Sequence, residues 1–250
     1  MPETSTQNQP KLVHIGYPKT GTTTLQKHIL PNLGSCLGKF HDMEKEIRVT
    51  AGGLLLGKEL PIEMPEADIW TYEHIMGSSD FSTQAERVRK VIPGKNLLIS
   101  IRRQDDLIWS RYLHDHSLKR TKISYPLDRA LTPEMGSCTY PACRKDCSCG
   151  PVKIIPLPFY DFTAAYEAFS QYYNVLMLPM ELMIEEPDLY ASLLSSFMGV
   201  PAPAPIGRLP KENPSKISIE KPDLSSILAL FSNSNSVLPC PVDLSLWGYY

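Results

Sequence analysis

The sequence predicts an α/β protein, in which a parallel β-sheet is flanked by helices on both faces. The first observation is that short apolar runs of strand length alternate with longer segments whose apolar residues recur at helical spacing. The second is that the first apolar run leads through a glycine-containing turn directly into a helix. Alternating strands and helices are typical of a parallel sheet, because parallel neighbours need a crossover connection that is usually helical. Ligands of such sheets bind beyond the carboxyl ends of the strands.

The apolar pattern assigns the elements in chain order. Short apolar runs predict strands at 12–15, 69–72, 96–101 and 175–178. Helical spacing predicts helices at 22–30, 81–92, 105–118, 159–173, 181–198 and around 225–231. We expect Asp105 to cap the third helix, Pro187 to interrupt the fifth and Gly199 to end it. Residues 34–42 are predicted to be a loop, and residues 43–60 a short helix with a loop.

The length of the chain sets the domain organisation. Its 250 residues suffice for one large α/β domain with a full core. We expect that domain to span 11–250, after a disordered tail at 1–10. Residues 119–158 break the alternation and are predicted to be an insertion rich in cysteine and proline, with Cys138, Cys143, Cys147 and Cys149. The spacing of these cysteines is irregular for a zinc site, so free thiols are favoured over a metal site.

Composition and charge exclude several classes of protein. The hydrophobic content of 42% is typical of a globular protein. A net charge of −2 gives no overall attraction to nucleic acid or to an anionic membrane, so no nucleic-acid partner is expected and any anion site must be local. No apolar run approaches the roughly 20 residues that a membrane-spanning helix needs. Residues 1–10 lack the basic and apolar regions of a signal peptide, so we expect a cytoplasmic protein.

The turn after the first strand has the features of a phosphate-binding loop. A glycine turn that leads into a helix aims backbone N–H groups at a phosphate, and Lys19 adds a positive charge. Hydroxyl donors in the first turn of the helix come from Thr22, Thr23 and Thr24. Gly16 and Gly21 have the separation of a Walker A motif, but a threonine stands where that motif has its lysine. The loop is therefore P-loop-like without matching a nucleoside triphosphatase, and an ordinary turn between strand and helix is the alternative.

A second candidate phosphate ligand follows the third predicted strand. Arg102 stands at the end of that strand, and Ser110 lies on the following helix. The guanidinium presents a planar fork that matches phosphate geometry, and a serine hydroxyl adds a neutral hydrogen bond. Arg103 and Arg111 can be surface charges or partners of nearby aspartates, an interpretation that we favour for Arg111.

The two motifs resemble those of a known family. The run Pro-Lys-Thr-Gly-Thr-Thr-Thr-Leu-Gln at 18–26 resembles the 5′-phosphosulfate loop of sulfotransferases that use 3′-phosphoadenosine 5′-phosphosulfate (PAPS). Arg102 and Ser110 resemble the 3′-phosphate motif of the same family. Gln104 occupies the place of a proline that the family has after this arginine, and the change leaves the phosphate ligands intact.

The resemblance extends to a later part of the chain. Residues 172–186, and Phe-Met-Gly-Val at 197–200, resemble a strand and helix of the family, and Glu181 within them is interpreted as structural. The resemblance covers roughly residues 11–113 and 159–200. Family members also place a late basic loop against the cofactor, and residues 208–216 are the only candidate for it.

The resemblance implies an enzyme that moves a sulfuryl group from PAPS to a hydroxyl acceptor by in-line displacement and leaves adenosine 3′,5′-bisphosphate (PAP). For the 5′-phosphosulfate it implies Lys19, Thr20, Gly21, Thr22, Thr23 and Thr24. For the 3′-phosphate it implies Arg102 and Ser110. The charge of Lys19 is suited to neutralising the leaving oxygen, and the scheme requires no metal.

A base should remove the proton of the acceptor hydroxyl. Glu73 is our first choice, because it follows the second predicted strand at the edge where the phosphate loop lies, and His74 is the runner-up. His114 and His116 are less favoured. Family members that act on glycans use a glutamate near this place, whereas those that act on small molecules use a histidine. A glutamate base would favour a carbohydrate or glycolipid acceptor.

Two other functions stay open. A nucleotide or metabolite kinase with a degenerate P-loop would bind ATP-Mg²⁺, and the displaced lysine argues against it. A catalytically silent PAP-binding scaffold would keep the fold without turnover. The presence of Lys19, Arg102 and Ser110 argues against that scaffold.

Overall fold

The computed structural model of the protein describes residues 9–38, 66–71, 75–76, 79–92, 94–117, 131–132, 155–210, 212 and 220–250. The strands of this part are β1 (Leu12–Gly16), β2 (Cys36–Gly38), β3 (Ile69–Thr71), β4 (Asn96–Ile101), β5 (Leu131–Thr132), β6 (Ile155–Pro156) and β7 (Asn174–Pro179). Five of them form a sheet in the order β2-β3-β1-β4-β7, and β5 pairs with β6 separately.

Helices connect the strands and cover the sheet. They are α1 (Thr22–Thr24), α2 (Phe81–Val91), α3 (Gln104–Ser117), α4 (Phe162–Ser170), α5 (Met180–Glu185), α6 (Pro187–Met198) and α7 (Ser225–Ser236). α1 continues into a π-helical turn at Leu25–Ile29 and a 3₁₀ turn at Leu30–Asn32. Further 3₁₀ turns lie at Leu157–Tyr160 and Leu244–Trp247.

The strand β1 lies at the centre of the sheet. Val13 pairs with Trp70 of β3 on one side and with Leu97 of β4 on the other, and each pairing in the five-stranded sheet is parallel. The carboxyl ends of β3, β1 and β4 therefore lie side by side. The loop after β1 and the residues that follow β4 start from the same edge of the sheet.

Side chains of β1 alternate between two apolar layers, as the pleat of a strand requires. Ile15 belongs to a core that includes Phe162 of α4 and Phe231 of α7, whereas Leu12 belongs to a second core with Leu194 of α6. Because both faces of the sheet are covered, the sequences of its strands are continuous apolar runs. The predicted class, a parallel sheet with helices on both faces, is confirmed.

The strand β2 corrects the prediction of a loop over residues 34–42. Leu37 pairs with Trp70 of β3, so the strand occupies one edge of the sheet. A strand of three residues gives no alternation and no apolar run, which is why the pattern of the sequence did not predict it.

Asp105 does not cap the third predicted helix. That helix begins at Gln104, so Asp105 is its second residue. The carboxylate of Asp105 instead binds the side chains of Arg103 and Lys221. An N-cap carboxylate must bind backbone N–H groups of the first turn, and here the two cations occupy it.

Other helix boundaries differ by a few residues. The predicted helix 159–173 is a 3₁₀ turn followed by α4. Asp161 caps the first turn of α4, because its Oδ1 accepts a hydrogen bond of 3.1 Å from the N–H of Ala164. The helix predicted around 225–231 continues to Ser236. Pro187 separates α5 from α6, and Gly199 ends α6 in the left-handed region, both as predicted.

Some predictions fall outside the described residues. These include the segment 43–60, most of the tail 1–10, and most of the insertion 119–158 with Cys138, Cys143, Cys147 and Cys149. In the described part of the chain, no helix combines the length and the apolar character that crossing a membrane would take.

Candidate functional site

Residues 17–21 form the loop between β1 and α1, which we call the phosphate-type loop. Two of its residues have a positive φ. Lys19 has a φ of 77°, and it is the one residue other than glycine with a positive φ in the described part of the chain. Gly21, with a φ of 72°, is the N-cap of α1. The left-handed conformation costs a non-glycine residue roughly 1–2 kcal/mol. Strained residues of this kind cluster at functional sites, so the conformation of Lys19 marks the loop as a candidate.

The threonines in and after the loop differ in what their hydroxyls can do. Thr20 is buried, and its Oγ1 donates to the carbonyl oxygen of Tyr17 at 2.7 Å. That bond uses the hydroxyl proton, so Thr20 is left with its backbone N–H as a donor for a ligand. Thr22 and Thr24 are also buried, whereas Thr23 is half-buried.

The helix α5 packs directly on the phosphate-type loop. A Cβ atom at Gly21 would lie 2.6 Å from Cε of Met183 and 3.0 Å from Cγ of Met180. Real Cβ atoms do not approach another atom within 2.6 Å, so a side chain at Gly21 would require the end of Met183 to shift, and the φ of this position favours glycine in addition. The contact fixes the loop against the helix that follows β7.

Arg102 brings the second predicted motif to the first. It follows β4, and its Nη1 donates to the carbonyl oxygen of Lys19 at 3.3 Å. Its Nε is buried and finds no hydrogen-bond partner among the described residues. A buried charged donor without a partner is costly, and such groups in native proteins call for an explanation. An anionic ligand between Arg102 and the loop would supply the missing acceptor.

The other predicted site residues are placed less completely. Ser110 is half-buried in the second turn of α3, the helix on which it was predicted. Glu73 and His74 lie outside the described residues. The strand that precedes them, β3, ends at Thr71 beside β1.

A row of buried polar side chains runs under this edge of the sheet, and the sequence pattern did not single it out. His14 is fully buried, with Nδ1 2.7 Å from Oγ1 of Thr71 and Nε2 3.0 Å from Oγ of Ser100. Gln26, in the π-helical turn after α1, donates from Nε2 to Oγ1 of Thr71 at 2.8 Å. The row joins β3, β1 and β4 just below the ends from which the loop and Arg102 start. The signal was a histidine inside an otherwise apolar strand.

Arg103 is held in a cluster of charges, which confirms the alternative that it pairs with aspartates. Its Nε lies 2.7 Å from Oδ1 of Asp105, and its Nη2 lies 3.2 Å from Oδ2 of Asp106. Lys221 contacts both carboxylates. Burial raises the pKa of Asp105, but the hydrogen bonds from Arg103 and Lys221 outweigh it and hold that pKa below its ordinary value.

The predicted basic loop 208–216 is described only at residues 208–210 and 212. Glu212 accepts hydrogen bonds from Nζ of Lys27 at 3.2 Å and from Nε2 of His28 at 2.9 Å. Glu212 therefore contacts the π-helical turn after α1, a contact by an acidic residue that the sequence did not suggest.

Comparisons with known proteins bear on the fold. No family model matches the chain, and no curated protein matches its sequence. Among solved structures, the chain is similar to a sulfotransferase from Alicyclobacillus acidocaldarius, with a TM-score of 0.61 and 16% identity over 96% of this chain and 99% of that one. At this identity the likeness establishes a shared α/β fold and leaves the reaction to be argued from the residues of the site.

Proposed function

We propose that this protein transfers a sulfuryl group from PAPS to a hydroxyl group of an acceptor. The observation that carries the proposal is Arg102, whose buried Nε finds no partner among the described residues while its Nη1 binds the Lys19 carbonyl. The guanidinium thus stands beside the phosphate-type loop with an unused donor, which fits a ligand that carries two separate phosphate groups. The fold shared with a sulfotransferase supports the same choice.

In this proposal the phosphate-type loop and the start of α1 bind the 5′-phosphosulfate. The proposed ligand residues are Lys19, Thr20, Gly21, Thr22, Thr23 and Thr24. Thr20 would act through its backbone N–H, because its hydroxyl donates to the carbonyl oxygen of Tyr17. N–H groups in the first turn of a helix point out of its N-terminus at the positive end of the helix dipole, and the N-cap glycine places no side chain over them. They are therefore suited to an anion.

The 3′-phosphate is assigned to Arg102, with Ser110 as a neutral second ligand. A guanidinium can give a phosphate two parallel hydrogen bonds, which a lysine cannot. Because Nη1 of Arg102 is already directed to the Lys19 carbonyl, its Nε is the donor that we assign to the phosphate.

The reaction is an in-line displacement at sulfur. The acceptor oxygen forms its bond to sulfur while the bond from sulfur to the phosphate oxygen breaks, and the acceptor proton goes to a base. Lys19 places a positive charge where the leaving oxygen becomes negative. We assign the base to Glu73, with His74 as the alternative. The acceptor of a glutamate-dependent enzyme is proposed to be a carbohydrate or glycolipid hydroxyl.

A thermal-shift comparison tests the proposal. PAP in large excess should stabilise the protein by about 2–4 kcal/mol, as expected for a ligand at 100 to 1,000 times its dissociation constant. ATP-Mg²⁺ at the same concentration should give little shift, because it lacks a 3′-phosphate for Arg102. A shift with ATP-Mg²⁺ and none with PAP would overturn the proposal in favour of a kinase.

Binding alone does not distinguish an enzyme from a PAP-binding scaffold. A second assay with labelled PAPS and a panel of sugar, lipid and phenol acceptors supplies that distinction. Transfer of label to one acceptor class is the expected result. Firm PAP binding without transfer to any acceptor on the panel, and without hydrolysis of PAPS, would favour the silent scaffold.

A further inference from the structure

Five residues join the start of α3 to the C-terminal segment in a closed ring of hydrogen bonds. The backbone N–H of Arg103 donates to Oε1 of Glu181 at 3.2 Å, and the hydroxyl of Tyr249 donates to Oε2 of the same carboxylate at 2.9 Å. Asn235 donates to the Tyr249 carbonyl at 2.9 Å. Asn235 and Gln104 exchange two amide bonds of 2.8 and 3.0 Å. Because Gln104 follows Arg103 in the chain, the ring closes.

Three of the five residues in the ring are buried, and the amide groups of the ring are fully used. Gln104, Asn235 and Tyr249 are each at most 1% exposed. The remaining donor of the Gln104 amide reaches the carbonyl oxygen of Tyr160 at 3.3 Å. A buried polar network in which every member is satisfied specifies one geometry and resists rearrangement. The ring therefore holds the chain rigidly at the residue directly after Arg102.

The helix α5 links this ring to the phosphate-type loop. Glu181 is its second residue and binds the N–H of Arg103, whereas Met180 and Met183 close around Gly21. One short helix therefore contacts the backbone at both halves of the candidate site. A shift of α5 would move the two halves relative to each other.

Arg102 lies within electrostatic reach of the ring. Burial raises the pKa of Glu181, and the hydrogen bonds from the Arg103 N–H and the Tyr249 hydroxyl oppose that rise, followed by the charge of Arg102. Burial also raises the pKa of Tyr249, and Arg102 again acts in the opposite direction. The carboxylate of Glu181 therefore holds the backbone of the residue that directly follows Arg102, and its charge is opposite to that of Arg102.

We propose that Glu181 is a positioning residue for Arg102 and that Tyr249 holds Glu181 in place, so that the C-terminal segment sets how well the site recognises a 3′-phosphate. This inference rests on the proposed function, because it assumes that Arg102 binds that phosphate. It gives the segment 225–250, which the resemblance to sulfotransferases did not cover, a role in the site.

Adjacent tyrosines provide a matched pair of variants. Tyr249→Phe removes the hydroxyl that binds Glu181, and Tyr250→Phe removes one that binds Asp243 on the exposed surface at 3.1 Å. Calorimetric titrations with PAP and with adenosine 5′-phosphate compare a ligand that has the 3′-phosphate with one that lacks it. Measurement at pH 8 favours the ionised form of Glu181, whose pKa is raised by burial.

Tyr249→Phe should weaken PAP binding about tenfold and adenosine 5′-phosphate binding less than twofold, because only PAP carries the 3′-phosphate that Arg102 is proposed to bind directly. Tyr250→Phe should change neither affinity. Glu181→Asp is the second variant, since it keeps the charge but is too short to bind both Arg103 and Tyr249. It should show the same selective loss and carries the test if Tyr249→Phe fails to fold.

Equal weakening of both ligands would mean that the ring only stabilises the fold, and the inference would be wrong. Unchanged PAP binding in Tyr249→Phe and in Glu181→Asp would overturn it as well. If the unmodified protein does not bind PAP at all, the proposed function fails, and that failure is distinguishable because it is seen before any variant is made.

Discussion

Arg102 and Lys19 are joined by a hydrogen bond of 3.3 Å from Nη1 of the arginine to the backbone carbonyl of the lysine. Each residue belongs to a different candidate phosphate motif, and they come from neighbouring parallel strands. The lysine carbonyl that accepts this bond belongs to the residue with the positive φ. The bond therefore helps to hold a strained loop and directs the remaining donors of the guanidinium, which couples the two halves of the site.

Arg102→Ala should weaken PAP binding by a factor of about 10 to 100, as expected for the loss of charge-assisted hydrogen bonds to a phosphate. The proposed preference for PAPS over adenosine 5′-phosphosulfate, which lacks the 3′-phosphate, should disappear with it. Arg89→Ala is the control, because Arg89, on α2, lies over the ring of Tyr172 and touches neither motif. A variant at Arg102 that keeps the full preference for PAPS would contradict the assignment.

Lys19→Ala should reduce turnover by about 10² to 10³, with a much smaller loss of PAP affinity, because its charge matters most when the leaving oxygen becomes negative. Lys19→Gly separates charge from backbone, since glycine adopts the positive φ of this position without strain. Both variants should lose turnover equally. Recovery of turnover in Lys19→Gly, or a loss of PAP affinity with kcat unchanged, would show that the ammonium has no role specific to the transition state.

Gly21→Ala should lower the free energy of unfolding by more than the roughly 1–2 kcal/mol that the left-handed conformation costs a non-glycine residue. The excess comes from Met183, whose Cε lies 2.6 Å from the place that the new methyl group would take. Gly207→Ala is the control, because Gly207 has a φ of 69° and nothing within 4 Å of its Cβ position. Urea unfolding of both variants measures the difference.

The same pair of glycine variants reports on the ligand. Gly21→Ala should also weaken PAP binding, because the strained φ of the alanine and the displaced end of Met183 would disturb the loop. Gly207→Ala should leave PAP binding unchanged. Equal losses of stability in the two variants, with PAP binding intact in both, would mean that the methionines move aside freely.

The sequence was sufficient to predict the elements whose burial leaves a pattern. The strands β1 and β4 are covered on both faces, so they are continuous apolar runs that are recognisable in isolation. The glycine turn and the charged residue after β4 were predicted because their residue types suit the binding of a phosphate at that edge. The meeting of Lys19 and Arg102 then followed from the parallel order of the strands.

Interactions between distant polar residues could not be predicted in this way. Nothing near Gln104 indicates that its amide pairs with Asn235, because the partner lies 131 positions further along the chain. A histidine is compatible with a strand whether or not it contacts other polar side chains, so His14 in β1 does not reveal its partners. Its contacts to Thr71 and Ser100 depend on the register of three strands. Hydrophobic periodicity carries no information about such pairings, since it reports which face is buried and not which polar groups meet there.

Glu73→Gln is predicted to abolish turnover while PAP still binds. Glu73 follows β3, which ends at Thr71 beside the strand that leads into the phosphate-type loop. A carboxylate near the transferring group would have its pKa raised by the negative charge of that group, which makes it a better base. The glutamine keeps the shape of the side chain and cannot accept the proton. Turnover with the acceptor identified by the PAPS panel measures the effect.

His74→Ala is the matched variant at the neighbouring position, and it should retain most of the activity. The dependence of kcat/KM on pH gives an independent reading, because a histidine base would lose activity as the pH falls through about 6.5, whereas a glutamate with a modestly raised pKa would lose it at lower pH. If Glu73→Gln stays active and His74→Ala is inactive, the histidine is the base. The argument for a carbohydrate or glycolipid acceptor would then be lost, since it depends on a glutamate at this position.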